Sequence, residues 1–334
     1  MGFFNRWANF FGILTHNTSN MNTIDSVTGA YRFSHRAMAT IYEIFIVHED
    51  SNYAQQAAHE AFCELDRLEQ DLSRFIENSD IARINKLSAN QPLQLGPAAF
   101  ECLQQAAQMY KETNGAFDIT IGPLLKCWMN RDKTPRLPSE EELEQARQHS
   151  GFHFLQLDEN AKTVSVKASP VHIDLGGIGK GYAVDKLVEL LCDWEIDTAM
   201  IHGGTSSVFA LGAPTELKGW PVTLSNPKNK QTLTRVHLRD QALSGSGLQK
   251  GQHIIDPRTA RPVEGNLAAW ACAPNTAATD ALSTAFMIMR PDEVEAYCAQ
   301  NQNVLAMIVT GENDHGKDNV LYFGHWDEND IQQV

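Results

Sequence analysis

The sequence predicts an α+β fold. Helical stripes and β-rich runs are interleaved irregularly rather than as regular βαβ units, the second half is mostly short strands, and no repeat or linker divides the 334 residues. With 43% hydrophobic residues the chain is globular, long enough for one large domain or two ordinary ones.

Taken in order, residues 1–32 are polar and expected to be a flexible tail, ahead of a single domain over 33–334. Phe3, Phe4, Trp7, Phe10 and Phe11 have helical spacing, which fits a short interfacial or partner-binding helix as well as a loosely packed tail. MATIYEIFIVHE (38–49) is β-rich and predicts a strand. Residues 54–77 place Ala58, Ala61, Phe62, Leu65, Leu68, Leu72 and Phe75 on one helical stripe. A helix over 97–113 is stopped by Asn114-Gly115. Another begins at Pro138-Ser139 and runs to 149, with acids in its first turn where the helix dipole favours them. Short strands are predicted at 152–157, 163–167 and 171–175, and a helix over 180–192. Strands follow at 197–211, 220–224, 233–239, 253–255 and 266–273, helices at 276–289 and 291–300, and strands at 303–309 and 320–323. NPKNKQT (226–232) reads as a hairpin loop.

Bulk charge narrows the function classes. A formal net charge of −14 argues against non-specific binding to nucleic acid or anionic membranes, both of which need basic surface. No run of 18 apolar residues is present, so no transmembrane segment is expected. The six cysteines form no CxxC and no zinc-spaced cluster, and most lie among apolar residues, as buried reduced thiols do. The start lacks a signal-peptide core and a lipid-attachment cysteine. The expected compartment is the cytoplasm, with peripheral attachment at the inner membrane as the alternative.

The chemistry is concentrated in five stretches. IDLGGIGKGYAVD (173–185) sets four glycines and Lys180 between Asp174 and Asp185. It is not a Walker loop, because Asp174 stands where the first glycine belongs and Gly181 follows Lys180 in place of Ser or Thr. It is not a dinucleotide fingerprint either, because Tyr182 replaces the last glycine. A different phosphate cradle and a simple tight turn both remain open. TNGAFDITIGPLLKCW (113–128) sets Asp118 between a glycine turn and an apolar run, and IHGGTSSVFALG (201–212) brings a second glycine pair after a strand. SGSGLQKGQHIIDPRTARPVE (244–264) carries His253 and Asp256, and NTAATDALSTAF (275–286) sets Asp280 and Thr284 four apart on one helix face. A carboxylate, a hydroxyl and a backbone carbonyl make a hard-oxygen set, which suits Mg²⁺ completed by waters and phosphates. The same Asp and Thr could instead cap a helix or face solvent. His253 fits a base or a structural histidine, and Asp118 and Asp174 could each simply brace a turn.

Together with MAT (38–40) and LSRF (72–75), these stretches occur in an order that resembles the ApbE family of FAD:protein FMN transferases, over about residues 33 to 310. The resemblance implies an α+β fold with a T-fold-related core of mixed and antiparallel sheets flanked by helices, which makes 33–334 the catalytic domain. It implies that FAD and Mg²⁺ are bound and that the FMN half of FAD passes to a Ser or Thr hydroxyl of an acceptor flavoprotein, releasing AMP and leaving a phosphodiester-linked flavin. Carried onto this sequence, the metal falls to Gly177, Asp280 and Thr284; FAD falls to Met38, Phe75, Ala116, Phe117, Asp118, Asp174, Lys180 and Ile255; the base is His253. Two features depart from the family: the export signal or lipid-attachment cysteine common there is not seen, and the TSG before the histidine reads Leu243-Ser244-Gly245.

Two other functions compete. An FAD pyrophosphatase would use the same metal with water as the acceptor, and a non-catalytic flavin-binding protein would need the pocket without the metal. Acceptors of this family carry a motif like D-x-x-[ST]-G-A-[ST]. DSVTGAY (25–31) matches it except at Tyr31, so either Thr28 is a site of self-flavinylation or the match is chance.

Overall fold

The computed structural model describes residues 23–25, 29–130, 134–167, 171–248, 254–312, 318–326 and 331–333. Its first half contains β1 (Thr23–Asp25), β2 (Ala30–Ala37), β3 (Thr40–Ile46), α1 (Ser51–Leu72), α2 (Asp80–Ile84), β4 (Leu93–Gln94), α3 (Pro97–Glu112), α4 (Gly122–Trp128), α5 (Glu140–Arg147), β5 (Leu155–Asp158) and β6 (Thr163–Val166). Then come α6 (Gly179–Asp193), β7 (Ala199–Gly203), β8 (Ser207–Leu211), β9 (Trp220–Ser225), β10 (Thr232–Leu238), β11 (Gln241–Gly247), β12 (Ile255–Asp256), β13 (Arg261–Pro262) and β14 (Asn266–Ala273). The described chain closes with α7 (Thr276–Ile288), α8 (Pro291–Gln300), β15 (Leu305–Glu312), β16 (Asp318–Phe323) and β17 (Ile331–Gln333).

The fold is α+β. A nine-stranded sheet in the order β1-β2-β3-β7-β8-β11-β14-β15-β16 is antiparallel at each pairing. Successive side chains of a strand point to opposite faces, so the sheet divides the core in two. On β14, Ala269, Ala271 and Ala273 join the helices α1, α3, α6 and α7 on one face. Ala268, Trp270 and Cys272 point the other way, against Trp220, Val222, Leu224, Val236 and Leu238 of β9 and β10. A third, smaller cluster joins α4 and α5 to Ile255 and Ala260.

Several boundaries differ from those the sequence predicts. The expected strand at 38–49 is β3 alone, and β2 precedes it within the polar stretch. Strand β2 buries Ala30, Phe33 and Ala37, while its polar residues find partners: Arg32 pairs with Glu43, and His35 with Asp66. The first helix stops at Leu72, leaving Arg74 and Phe75 beyond its end. Residues 171–175 are not a strand, and 197–211 splits into β7 and β8 at Gly204, where φ is +69°. The expected strand at 253–255 is β12, which begins at Ile255. The lysine-rich loop does join a hairpin, β9 to β10.

Candidate functional site

Helix α7 is buried nearly all round, packed on β11, β14 and α6, so its polar residues must be satisfied by protein. Asp280 is only 3% exposed. Its Oδ2 accepts from the Lys180 ammonium and from the Gly181 N–H, each at 3.2 Å, and its Oδ1 accepts from the Ser207 hydroxyl at 3.3 Å. The residue neither caps its own helix, which Asn275 does, nor faces solvent. A carboxylate this deep needs such partners to offset its desolvation. Its charge is felt nearby: burial first, then Asp280, pushes the Tyr42 phenol far above its ordinary value.

Thr284 lies one turn further along. Its Oγ1 is 3.3 Å from the Ser246 hydroxyl and 3.3 Å from the Asp280 carbonyl. A Cβ built on Gly177 would sit 3.2 Å from Thr284 Oγ1 and 3.1 Å from a Phe117 ring carbon. Gly177, Thr284 and Phe117 therefore meet with no spare space, and Asp280 lies beside them. Among the described residues no three His, Cys, Asp or Glu side chains cluster. The group that does form has one carboxylate, hydroxyls and a backbone turn, a hard-oxygen set that fits a magnesium ion keeping most of its ligands from water or phosphate.

The glycine turn is braced from outside. Asp174 accepts from the Gly176 N–H at 2.9 Å, and its other oxygen is 3.2 Å from Arg74. The Arg74 guanidinium lies 4.7 Å over the Phe75 ring, and that ring is 81% exposed. Lys180 also donates to the Gly176 carbonyl at 3.1 Å. Met38 sits at the β2–β3 turn with φ +49°, its sulfur accepting from the Tyr42 hydroxyl at 3.2 Å. Tyr42 thus links Met38 to the Asp280 neighbourhood.

Not every predicted residue converges. The Asp118 carboxylate is spent on its own surroundings: Oδ1 accepts from the Thr120 N–H and hydroxyl, each at 2.7 Å, and Oδ2 from the Phe152 N–H at 3.0 Å. Burial raises its pKa against those bonds. Ala116 and Phe117 are buried, with Phe117 alone reaching Gly177. Ile255 belongs to the cluster with Leu124 and Cys127. Beside it a cleft of about 200 Å³ is lined by Asn114, Asp118, Ser150, His153, Pro257 and Arg258, among others. His253 and Thr28 lie outside the described residues.

Four participants escaped sequence reasoning. Arg74 acts through Asp174, distant in sequence, and Tyr42 lies in the field of the equally distant Asp280. Ser246 had a signal, since Ser244 and Ser246 alternate along β11 and face Thr279 and Ser283 at 2.7 and 2.9 Å. Asp185 on α6 accepts from the N–H groups of Thr276 and Ala277 at 2.6 and 2.8 Å. Burial pushes its carboxyl up to about 6, against the pull of those bonds.

An α+β fold that sets a buried carboxylate and a hydroxyl against a glycine loop has the kind of oxygen set that suits a hard cation and its phosphates. The chain belongs to the ApbE family, whose model matches residues 38–309. It is 25% identical over 298 residues to the FAD:protein FMN transferase of Escherichia coli K12, covering 84% of each chain. It is 29% identical over 272 residues to the protein of that name from Chlamydia trachomatis, covering 78% of this chain and 84% of the relative. Among solved structures, the ApbE protein of Thermotoga maritima superposes with a TM-score of 0.77 at 26% identity, covering 87% of this chain and 96% of that one. The flavin transferase ApbE of Vibrio cholerae gives 0.78 at 22% identity over 88% and 97%, a likeness of fold.

Proposed function

We propose that the chain is a magnesium-dependent FAD:protein FMN transferase, moving the FMN half of FAD onto a Ser or Thr hydroxyl of an acceptor flavoprotein and releasing AMP. One observation carries this reading: Asp280, Thr284 and Gly177 are grouped at the glycine loop beside Lys180, in a chain whose curated relatives bear that name. In the reaction the acceptor oxygen bonds to the phosphorus of the FMN half. The bond from that phosphorus to the bridging oxygen breaks, and AMP leaves with that oxygen. The hydroxyl proton passes to His253, the base the resemblance assigns; a positioned base typically contributes about 10²–10⁴-fold.

Asp280, Thr284 and the Gly177 carbonyl would hold the magnesium ion, which neutralises charge on the pyrophosphate and on the departing phosphate. Lys180 adds a fixed cation, and its contact with Asp280 keeps it at the loop. Phe75 offers an exposed aromatic face for the flavin ring, with Arg74 stacked behind it. Six free thiols, four of them buried, support a reducing compartment. Among the described residues no helix is long and apolar enough to cross a membrane.

The test is incubation with FAD, Mg²⁺ and an acceptor domain bearing a D-x-x-[ST]-G-A-[ST] motif. Transfer gives an acceptor heavier by FMN less one water, with AMP in equal amount. Free FMN and AMP formed at the same rate without acceptor would make the protein a pyrophosphatase instead. Thr28 is the internal candidate acceptor, read out by the intact mass of the enzyme itself and by loss of the shift in Thr28→Ala.

A further inference from the structure

Helices α6 and α7 meet at their N-terminal ends, and each supplies the carboxylate that satisfies the other. Asp185 of α6 takes the Thr276 N–H on one oxygen at 2.6 Å and the Ala277 N–H on the other at 2.8 Å. Asp280 of α7 takes the Gly181 N–H and the Lys180 ammonium, each at 3.2 Å. The three N–H groups are orphan donors of a first helical turn, which need an acceptor wherever the helix end is buried. The contact is tight: a Cβ on Gly181 would lie 2.2 Å from the Thr276 carbonyl oxygen and 2.9 Å from Ala277 Cα.

We propose that Asp185 is a positioning residue for the metal site, the second half of a reciprocal clasp that fixes α7 along its axis and about it. A carboxylate bridging two consecutive N–H groups sets both coordinates at once. Further along, α7 is held by Ser244–Thr279 and Ser246–Ser283 contacts at 2.7 and 2.9 Å and by the buried Phe286; its first two residues, the buried Thr276 and Ala277, are small, and there the clasp supplies the hold. Metal ligands tolerate displacements of only a few tenths of an ångström, so the clasp governs whether Asp280 and Thr284 stand correctly against Gly177. The inference rests on the metal reading given above.

The test compares Asp185→Asn with Asn275→Ala, which removes the other side-chain cap of the same helix end, to Ala278 N–H, without touching α6. Two readouts are taken: amide exchange at Gly181, and Mn²⁺ affinity in the presence of FAD, followed by the paramagnetic resonance of free Mn²⁺. The clasp predicts that Asp185→Asn speeds exchange at Gly181, whose N–H is held by Asp280 of the opposite helix, and weakens Mn²⁺ roughly 10- to 100-fold, the usual cost of losing an outer-shell partner. FAD affinity in EDTA stays unchanged. Asn275→Ala lowers the melting temperature but leaves Gly181 exchange and Mn²⁺ affinity at wild-type values. Wild-type Gly181 exchange and Mn²⁺ affinity in folded Asp185→Asn would overturn the proposal, as would Mn²⁺ losses in both variants that simply track their melting temperatures. Should Asp185→Asn not fold, Asp185→Glu, which keeps the charge on a longer arm, is read for the same two signals. If wild-type protein with FAD holds no Mn²⁺, the metal reading fails, and exchange at Gly181 alone decides the clasp.

Discussion

The Lys180 ammonium stands 3.2 Å from the Asp280 carboxylate, although the two residues are 100 positions apart and on different helices. The pair ties the glycine loop to α7, and Asp280 is the buried member. Asp280→Ala therefore has two effects. It removes the single carboxylate of the candidate metal set, and it strips acceptors from Gly181, Lys180 and Ser207. Denaturant unfolding of that variant should show a loss of about 1–3 kcal/mol, whereas Asp280→Asn, which retains an acceptor oxygen, should lose less. Equal stability of wild type and Asp280→Ala would show that the carboxylate is not satisfied as described.

Gly181→Ala should be more disruptive than its size suggests. The added methyl meets the Thr276 carbonyl and Ala277 backbone, which cannot swing aside as a side chain could. Overpacking of this kind costs about 1–3 kcal/mol. Thermal unfolding measures it, and an unchanged melting temperature would mean that α6 and α7 are further apart.

Phe75→Ala separates binding from stability. The ring is 81% exposed, so its removal should change unfolding free energy by no more than about 0.5 kcal/mol. FAD affinity, followed by quenching of flavin fluorescence, should fall, because a stacked aromatic contact contributes about 0.5–1.5 kcal/mol beyond area. Unaltered FAD affinity would place the flavin elsewhere.

His202 supplies a pH dependence independent of catalysis. Burial holds its pKa down to about 4, with Arg32 lowering it further and Glu43 raising it. The unfolded chain, near 6.5, then binds a proton that the native state refuses. Stability should fall as pH drops from about 6.5 to about 4, by about 3 kcal/mol once the native histidine is protonated as well, and stay level above neutrality. Urea midpoints of wild type and His202→Gln, compared across that window, give the contribution. A difference that does not vary with pH would show that His202 is not held neutral.

The sequence revealed the helices better than the sheet, for reasons visible in particular residues. Helix α1 was legible because Ala58, Ala61, Leu65, Leu68 and Leu72 repeat at helical spacing and are all buried. Strand β2 was hidden because Arg32, Arg36 and His35 make it look like a polar tail, while its buried residues are only Ala30 on one face and Phe33 and Ala37 on the other. Strand β11, central in the sheet, reads Ser-Gly-Ser-Gly, residues depleted in strands; its serines instead bond to hydroxyls on α7. The pairing of Asp280 with Thr284 could be read from a spacing of four. The burial of Asp280 and the contacts of Arg74 and Asp185 could not, since they depend on residues brought together from distant parts of the chain.

The most direct measurement is the intact mass of an acceptor domain incubated with FAD and enzyme across a magnesium titration, with wild type and Asp280→Asn side by side. In the wild type a gain of one FMN less one water should rise with magnesium and vanish in EDTA. In Asp280→Asn, shown to be folded by its circular dichroism, the gain should be absent or require far more magnesium. The same labelling by both proteins at the same magnesium concentration would contradict the metal assignment.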